Sequence, residues 1–173
     1  GLCSGTAVCV RQNDLMPSAD LTRRATTPPP RSALSRLRLN TAITVGTLAA
    51  TASRLAKRGS GASIKGQVMQ RIDPHSLAKL LQGRRTTVVS GTNGKTTTTH
   101  LLAAAVRAGL GEQASRLVTN ADGANLHYGI ASALSRAPKA DIAILETDER
   151  VVSDVIRLGR PELLVLLNFS RDQ

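Results

Sequence analysis

Between residues 86 and 108 the sequence reads TTVVSGTNGKTTTTHLLAAAVRA, and no other stretch narrows the possible folds as far. The β-branched run over 86–90 predicts a strand. Two glycines follow, Gly91 and Gly94, and the residues over 96–108 have the composition of a helix that closes at Gly109. A strand that turns through glycines into a helix aims successive backbone N–H groups and a helix N-terminus at one point, which suits a phosphate. In such a loop Lys95 reaches the outer phosphates and Thr96 offers its hydroxyl to Mg²⁺. The strict pattern G-x-x-x-x-G-K-[ST] is not met, because its first position falls on Val89. The bland alternative is a glycine-rich turn carrying a solvated lysine.

Beyond this segment, strands and helices alternate. Strands are expected over 116–119, 141–147 and 163–167, and helices over 125–135 and 148–158. That order predicts an α/β fold with a mostly parallel sheet and flanking helices, and the near-continuous apolar runs IAIL and LLVLL suit strands buried on both faces. In open sheets of this kind ligands bind beyond the carboxyl ends of the strands. Glu146 stands at such an end and is a candidate Mg²⁺ ligand beside ATP phosphates. Asp148 and Glu149 either share that work or cap the next helix. The loop over 119–125 is either an anion-binding turn or a plain Asx turn. Its Asn120 and Asn125, with Asn168 and Asp172 after the last strand, are candidate rim residues. His100 reads as structural, no catalytic residue is assigned, and no Ser-His-Asp, Cys-His or zinc arrangement is present.

Upstream the pattern is weaker. Residues 1–32 read as a disordered, basic tail broken by the prolines at 28–30. Met16 is the first plausible initiator, so residues 1–15 are expected to lie outside the functional protein. A helix is expected over 32–57, an extended segment over 63–72, and a short helix opened by Asp73-Pro74 and ended by Gly83. The domain expectation is therefore a tail (1–32), a helical and extended segment (33–82), and an ATP-binding domain (83–173).

Charge is distributed unevenly. Residues 1–85 hold 14 Lys+Arg against 3 Asp+Glu, whereas residues 86–173 hold 9 of each. The whole excess thus belongs to the first half, which argues for a basic tail or surface element and against a nucleic-acid-binding fold. Stacking on single strands also needs aromatic side chains, and the chain has only Tyr128 and Phe169. An anionic lipid surface suits the excess equally well, as does a solvated tail. Cys3 and Cys9 form neither a metal motif nor a disulfide framework, and a cytoplasmic protein is expected.

The loop Gly91-Thr92-Asn93-Gly94-Lys95-Thr96-Thr97 resembles the phosphate loop of the Mur ligase family. GSGASIKGQVMQRIDP at 59–74, TNADGANLHYGIASAL at 119–134, ILETDE at 144–149 and LLNFSRDQ at 166–173 narrow the resemblance to the MurT-like subunits of lipid II isoglutaminyl synthase. The resemblance implies ATP binding by residues 91–97 and Mg²⁺ at Thr96 and Glu146. It implies amidation of the D-glutamate α-carboxylate of lipid II to D-isoglutamine during peptidoglycan biosynthesis. The route runs through an acyl phosphate, with ammonia from a GatD-type glutaminase partner. It also implies work at the inner membrane face, where the lipid-linked substrate resides, and no nucleic-acid partner.

Three departures accompany it. Lys65 stands where the family has proline, the family's cysteine-rich zinc site is absent from the chain, and a C-terminal domain would follow Gln173 in the family. The chain alone is therefore expected to bind nucleotide without completing the amidation. Another Mur-type amino-acid ligase remains an alternative, although the terminal RDQ favours the amidating branch. A non-catalytic nucleotide-binding module and a basic nucleic-acid-binding P-loop protein are the others.

Overall fold

The structure, a computed structural model, describes residues 8–11, 32–55, 62–120 and 124–168. Four parallel strands form the sheet: β2 (Arg85–Ser90), β3 (Leu117–Thr119), β4 (Ile142–Glu146) and β5 (Leu163–Leu166). A short strand, β1 (Val8–Arg11), pairs antiparallel with β5, so the order across the sheet is β1-β5-β2-β4-β3. The sequence reading has no strand there, since a four-residue VCVR run carries too little pattern to separate it from a tail. The rest of the tail, residues 1–7 and 12–31, lies outside the described residues.

The helices are α1 (Ala33–Leu55), α2 (Ala62–Ile72), α3 (Ser76–Leu81), α4 (Lys95–Leu110), α5 (His127–Arg136) and α6 (Val152–Gly159), with a 3₁₀ turn at Gly111–Arg116. Alternation along the strands sorts them onto two faces. Val88, Ala143, Leu145 and Leu164 point to the face covered by α1, α2, α3, α5 and α6. Val89, Ile144 and Leu117 point to the other, where Ala103, Leu102 and Val106 of α4 meet them. The larger core is aliphatic, built on Met69, Leu81, Ile130, Leu134 and Leu145, as a chain so poor in aromatics requires. Each such side chain fully buried contributes about 1.5–3 kcal/mol. Leu39, Ala42, Met69, Leu77, Leu80 and Leu81, all from the segment before the sheet, belong to this same cluster.

Three spans differ from expectation. The short helix expected to open at Asp73-Pro74 begins at Ser76 after His75, and Asp73 Oδ1 accepts from the His75 N–H at 3.2 Å in the turn before it. Residues 63–72 are helical, not extended, with Ile64, Val68, Met69 and Ile72 near helical spacing. The glycine in the middle misleads, because Gly66 costs about 1 kcal/mol of helix propensity. It is there because α2 crosses α5 so closely that a Cβ would overlap the Tyr128 backbone carbonyl. The helix expected from residue 148 begins only at Val152. Asp148 first forms an Asx turn, its Oδ1 accepting from the Arg150 N–H at 2.9 Å, and its carbonyl accepts from the Val151 N–H at 3.1 Å.

Candidate nucleotide site at the carboxyl ends of β2 and β4

β2 and β4 are hydrogen-bonded neighbours, yet the helices that follow them, α4 and α6, lie on opposite faces of the sheet. Chains that part in this way open a crevice at the strands' carboxyl ends. The loop 91–94 forms one side of it, and Glu146 stands across from Val89, the second-last residue of β2.

The loop's shape is set by its glycines. Gly91 has φ 143° and Gly94, the residue before α4, has φ 84°, both in a region that L side chains rarely adopt. A Cβ at Gly91 would also stand 2.7 Å from that of Leu167. The loop is then tied to the end of β5. Leu167 N–H donates to the Ser90 carbonyl at 2.8 Å, and Thr92 N–H donates to the Asn168 carbonyl at 2.8 Å. Asn93 N–H donates to Asn168 Oδ1 at 3.2 Å. Asn168 is thus a loop holder, a role that its position after an apolar strand does not announce.

Lys95 opens α4 and folds back over the loop. Its Nζ donates to the carbonyls of Gly91 and of Thr92, the latter at 3.2 Å, and meets Glu149 Oε2 at 3.3 Å. The ammonium is held among loop carbonyls, where an incoming anion would meet it. Thr96 and Thr97 lie exposed in the first turn of α4.

Glu146 is only 2% exposed. Its Oε1 accepts from Asn125 Nδ2 at 3.4 Å, while Oε2 is buried with no hydrogen-bond partner among the described residues. A buried carboxylate oxygen left in that state is costly unless a cation or donor meets it. Asn120 is buried too, at 1% exposure, and clamps the end of β4: its Oδ1 accepts from the Glu146 N–H at 2.8 Å. Its Nδ2 donates to the carbonyls of Glu146 at 2.7 Å and Ala124 at 2.9 Å. Both ends of its amide are committed to the fold, so Asn120 positions Glu146 instead of standing on the rim. Ser90, which the sequence reading did not single out, donates to the Thr147 carbonyl at 2.9 Å and fastens β2 to β4 at the mouth of the crevice.

The two remaining acids separate. Asp148 takes the Arg150 guanidinium at 2.8 and 2.9 Å, and that hydrogen-bonded partner pulls its carboxyl down to about 2. Glu149 faces Lys95. Neither caps the first turn of α6, whose acidic residue is Asp154. Asp172 and residues 121–123 of the second loop lie outside the described residues. Among the described residues no three of His, Cys, Asp and Glu gather as a metal-holding group. One carboxylate is nevertheless enough for Mg²⁺, which keeps its waters and takes most other oxygens from substrate phosphates. The site can therefore receive a polyanion at the loop and Lys95, with a cation beside Glu146.

The chain is similar to known proteins. The Mur ligase middle domain matches residues 89–172. The MurT subunit of lipid II isoglutaminyl synthase (glutamine-hydrolyzing) from Staphylococcus aureus is 38% identical over 137 residues, covering 77% of this chain and 30% of its own length. Its Streptococcus pneumoniae counterpart is 35% identical over 141 residues, 78% of this chain and 31% of its own length. A UDP-N-acetylmuramate–L-alanine ligase from Rhodococcus opacus is 40% identical over a shorter stretch of 83 residues, 46% of this chain and 16% of its own length. The chain spans about three-tenths of the MurT relatives it matches. No solved structure matches it. With a Mur ligase middle domain over residues 89–172 and these relatives, the chain belongs to the Mur ligase family.

Proposed function

We propose that the chain is the nucleotide-binding part of an ATP-dependent ligase that amidates the D-glutamate α-carboxylate of lipid II to D-isoglutamine. Ammonia comes from a GatD-like glutaminase partner. The observation that carries the nucleotide step is Lys95 lying over the 91–94 loop, across β2 and β4 from a buried Glu146 with one unpartnered oxygen. Support for the amidation step is the likeness to two MurT subunits over more than three-quarters of the chain, against 46% and 57% of it for two alanine ligases.

In this reading residues 91–97 hold the phosphates of ATP. The amides of Gly94 and of the first turn of α4 supply donors, and Lys95 leaves its carbonyl partners for phosphate oxygens. Glu146 and Thr96 hold Mg²⁺, which when bound neutralises charge on the transferred phosphoryl group. Asn125 orients the Glu146 carboxylate and Asn120 fixes its backbone. Asn168 keeps the loop open, and Asp172 belongs to the same rim. The acceptor carboxylate becomes an acyl phosphate, and ammonia displaces phosphate to leave the amide. Zinc has no part in what these residues do, and nucleic acid is not a partner. No helix among the described residues is long and apolar enough to cross a membrane. The chain acts in the cytoplasm, against the inner face of the plasma membrane where lipid II is reached.

Calorimetry with Mg·ATP tests the nucleotide step. The chain binds, and Lys95→Ala weakens binding at least roughly tenfold, by analogy with the removal of one charge-assisted phosphate contact. Equal binding by the variant would remove the loop from the mechanism. Incubation with lipid II, UDP-N-acetylmuramate, L-alanine, ammonium and Mg·ATP, read by mass spectrometry, tests the chemistry: amide on lipid II would place the whole reaction in this chain. An alanine adduct would move the function to the amino-acid-adding branch.

A further inference from the structure

Helix α1 carries two apolar faces. One is packed: Leu39, Ala42 and Ala50 are buried, and Gly46 lies so close to α2 that a Cβ there would stand 2.8 Å from the Lys65 carbonyl oxygen. The other is bare. Leu34, Leu37, Val45, Leu48 and Leu55 are between 40% and 81% exposed. With Thr41 and Ala52, also exposed, they recur every three or four residues and so form one stripe, about 30 Å long.

Three threonine hydroxyls of α1 bond back to the helix's own carbonyls. Thr41 Oγ1 donates to the Leu37 carbonyl at 3.0 Å, Thr47 to Ile43 at 2.7 Å and Thr51 to Thr47 at 3.0 Å. Charge is confined to the ends: residues 39–53 carry none, while Arg36 and Arg38 precede them and Arg54, Lys57 and Arg58 follow. The wider stretch 21–72 holds ten Lys+Arg and not one Asp or Glu.

We infer that α1 is a docking element that lies along an anionic lipid surface, its leucine stripe in the acyl boundary, with the excess of positive charge in the surrounding sequence supplying the attraction to anionic headgroups. Charge complementarity selects this occupant. A second copy of the chain would set one acid-free helix against another and stack cations on cations. The helix lies on the bilayer and does not cross it, because it is not apolar enough to span. The inference deepens the peripheral location proposed above and rests on it, but it requires nothing of the nucleotide chemistry.

Co-sedimentation of the full 173-residue chain with vesicles tests it. The parent chain binds vesicles of equal parts phosphatidylglycerol and phosphatidylcholine, binds pure phosphatidylcholine far less, and is released by salt. The triple variant Leu37→Gln, Leu48→Gln, Leu55→Gln loses about 100-fold in partitioning, from the apolar area withdrawn from lipid. Its circular dichroism is unchanged, because the three side chains are exposed. Parent-like binding by the variant would overturn the role of α1 while leaving a membrane location through the basic tail. Failure of the parent to bind either vesicle would overturn both. A lipid-free dimer that the triple variant dissociates would assign the stripe to a second copy and overturn the inference as well.

Discussion

Replacing Asn120 with alanine isolates the contribution of the clamp that holds the end of β4. The side chain makes three hydrogen bonds, at 2.7, 2.8 and 2.9 Å, two of them to the backbone of Glu146. Each such bond contributes about 1 kcal/mol net, but the larger effect is on the groups left behind. One N–H and two carbonyls lose their partner, and an orphaned buried group costs about 1–3 kcal/mol. Water entering the space relieves part of that, so the expected loss is roughly 3–5 kcal/mol. Against a total stability of about 5–15 kcal/mol for a domain this is a large fraction. Urea unfolding followed by circular dichroism measures it as a fall in midpoint at unchanged slope. Asn168→Ala is the control: it removes one bond, on an exposed side chain, and should cost under about 1 kcal/mol. A loss below about 1 kcal/mol for Asn120→Ala, together with weakened nucleotide binding, would show that Asn120 is a ligand-facing rim residue after all.

Three other expectations follow from the same geometry. Gly66→Ala should lower the thermal midpoint sharply, since its new methyl meets the Tyr128 backbone, whereas Gly109→Ala, with open space around it in α4, should stabilise by about 0.5–1 kcal/mol. Glu149→Gln should leave Mg·ATP affinity unchanged or raised, because Glu149 competes with phosphate for Lys95; a tenfold loss by calorimetry would make it a metal or substrate residue instead. Asp148 and Asp141, both held at about 2 by Arg150 and Arg116, lie below the ordinary carboxylate value of about 4. Their stabilisation is complete above that value and is lost as pH falls toward 2. The urea midpoint should therefore drop between about pH 4 and pH 2, and less steeply in Asp148→Asn.

The parallel sheet and the glycine turn between β2 and α4 are legible because their residues serve local pattern and tertiary structure at once. Thr86–Ser90 is β-branched and buried, and Gly91 and Gly94 sit where only glycine fits the backbone. What escaped reading depends on distant partners. Gly66 looks like a helix breaker until Tyr128 is placed beside it. Asn120 looks like a turn residue until Glu146, 26 positions away, supplies two of its three hydrogen bonds. Lys95 was assigned from its motif, but its pairing with Glu149 across 54 residues was not, because loop geometry decides which of two adjacent acids turns toward it. The late start of α6 is of the same kind: the Asx turn at Asp148 satisfies the chain before a helix can begin.

The ties between Asn168 and the loop have a mechanical consequence. Thr92 and Asn93 hang from one residue at the point where the chain leaves β5, and Leu167 grips Ser90 from the same place. A displacement of Asn168 is thereby a displacement of the loop that forms one side of the crevice. Whatever tugs on that strand's exit, whether a neighbouring domain swinging or a substrate settling, adjusts the grip of the loop directly.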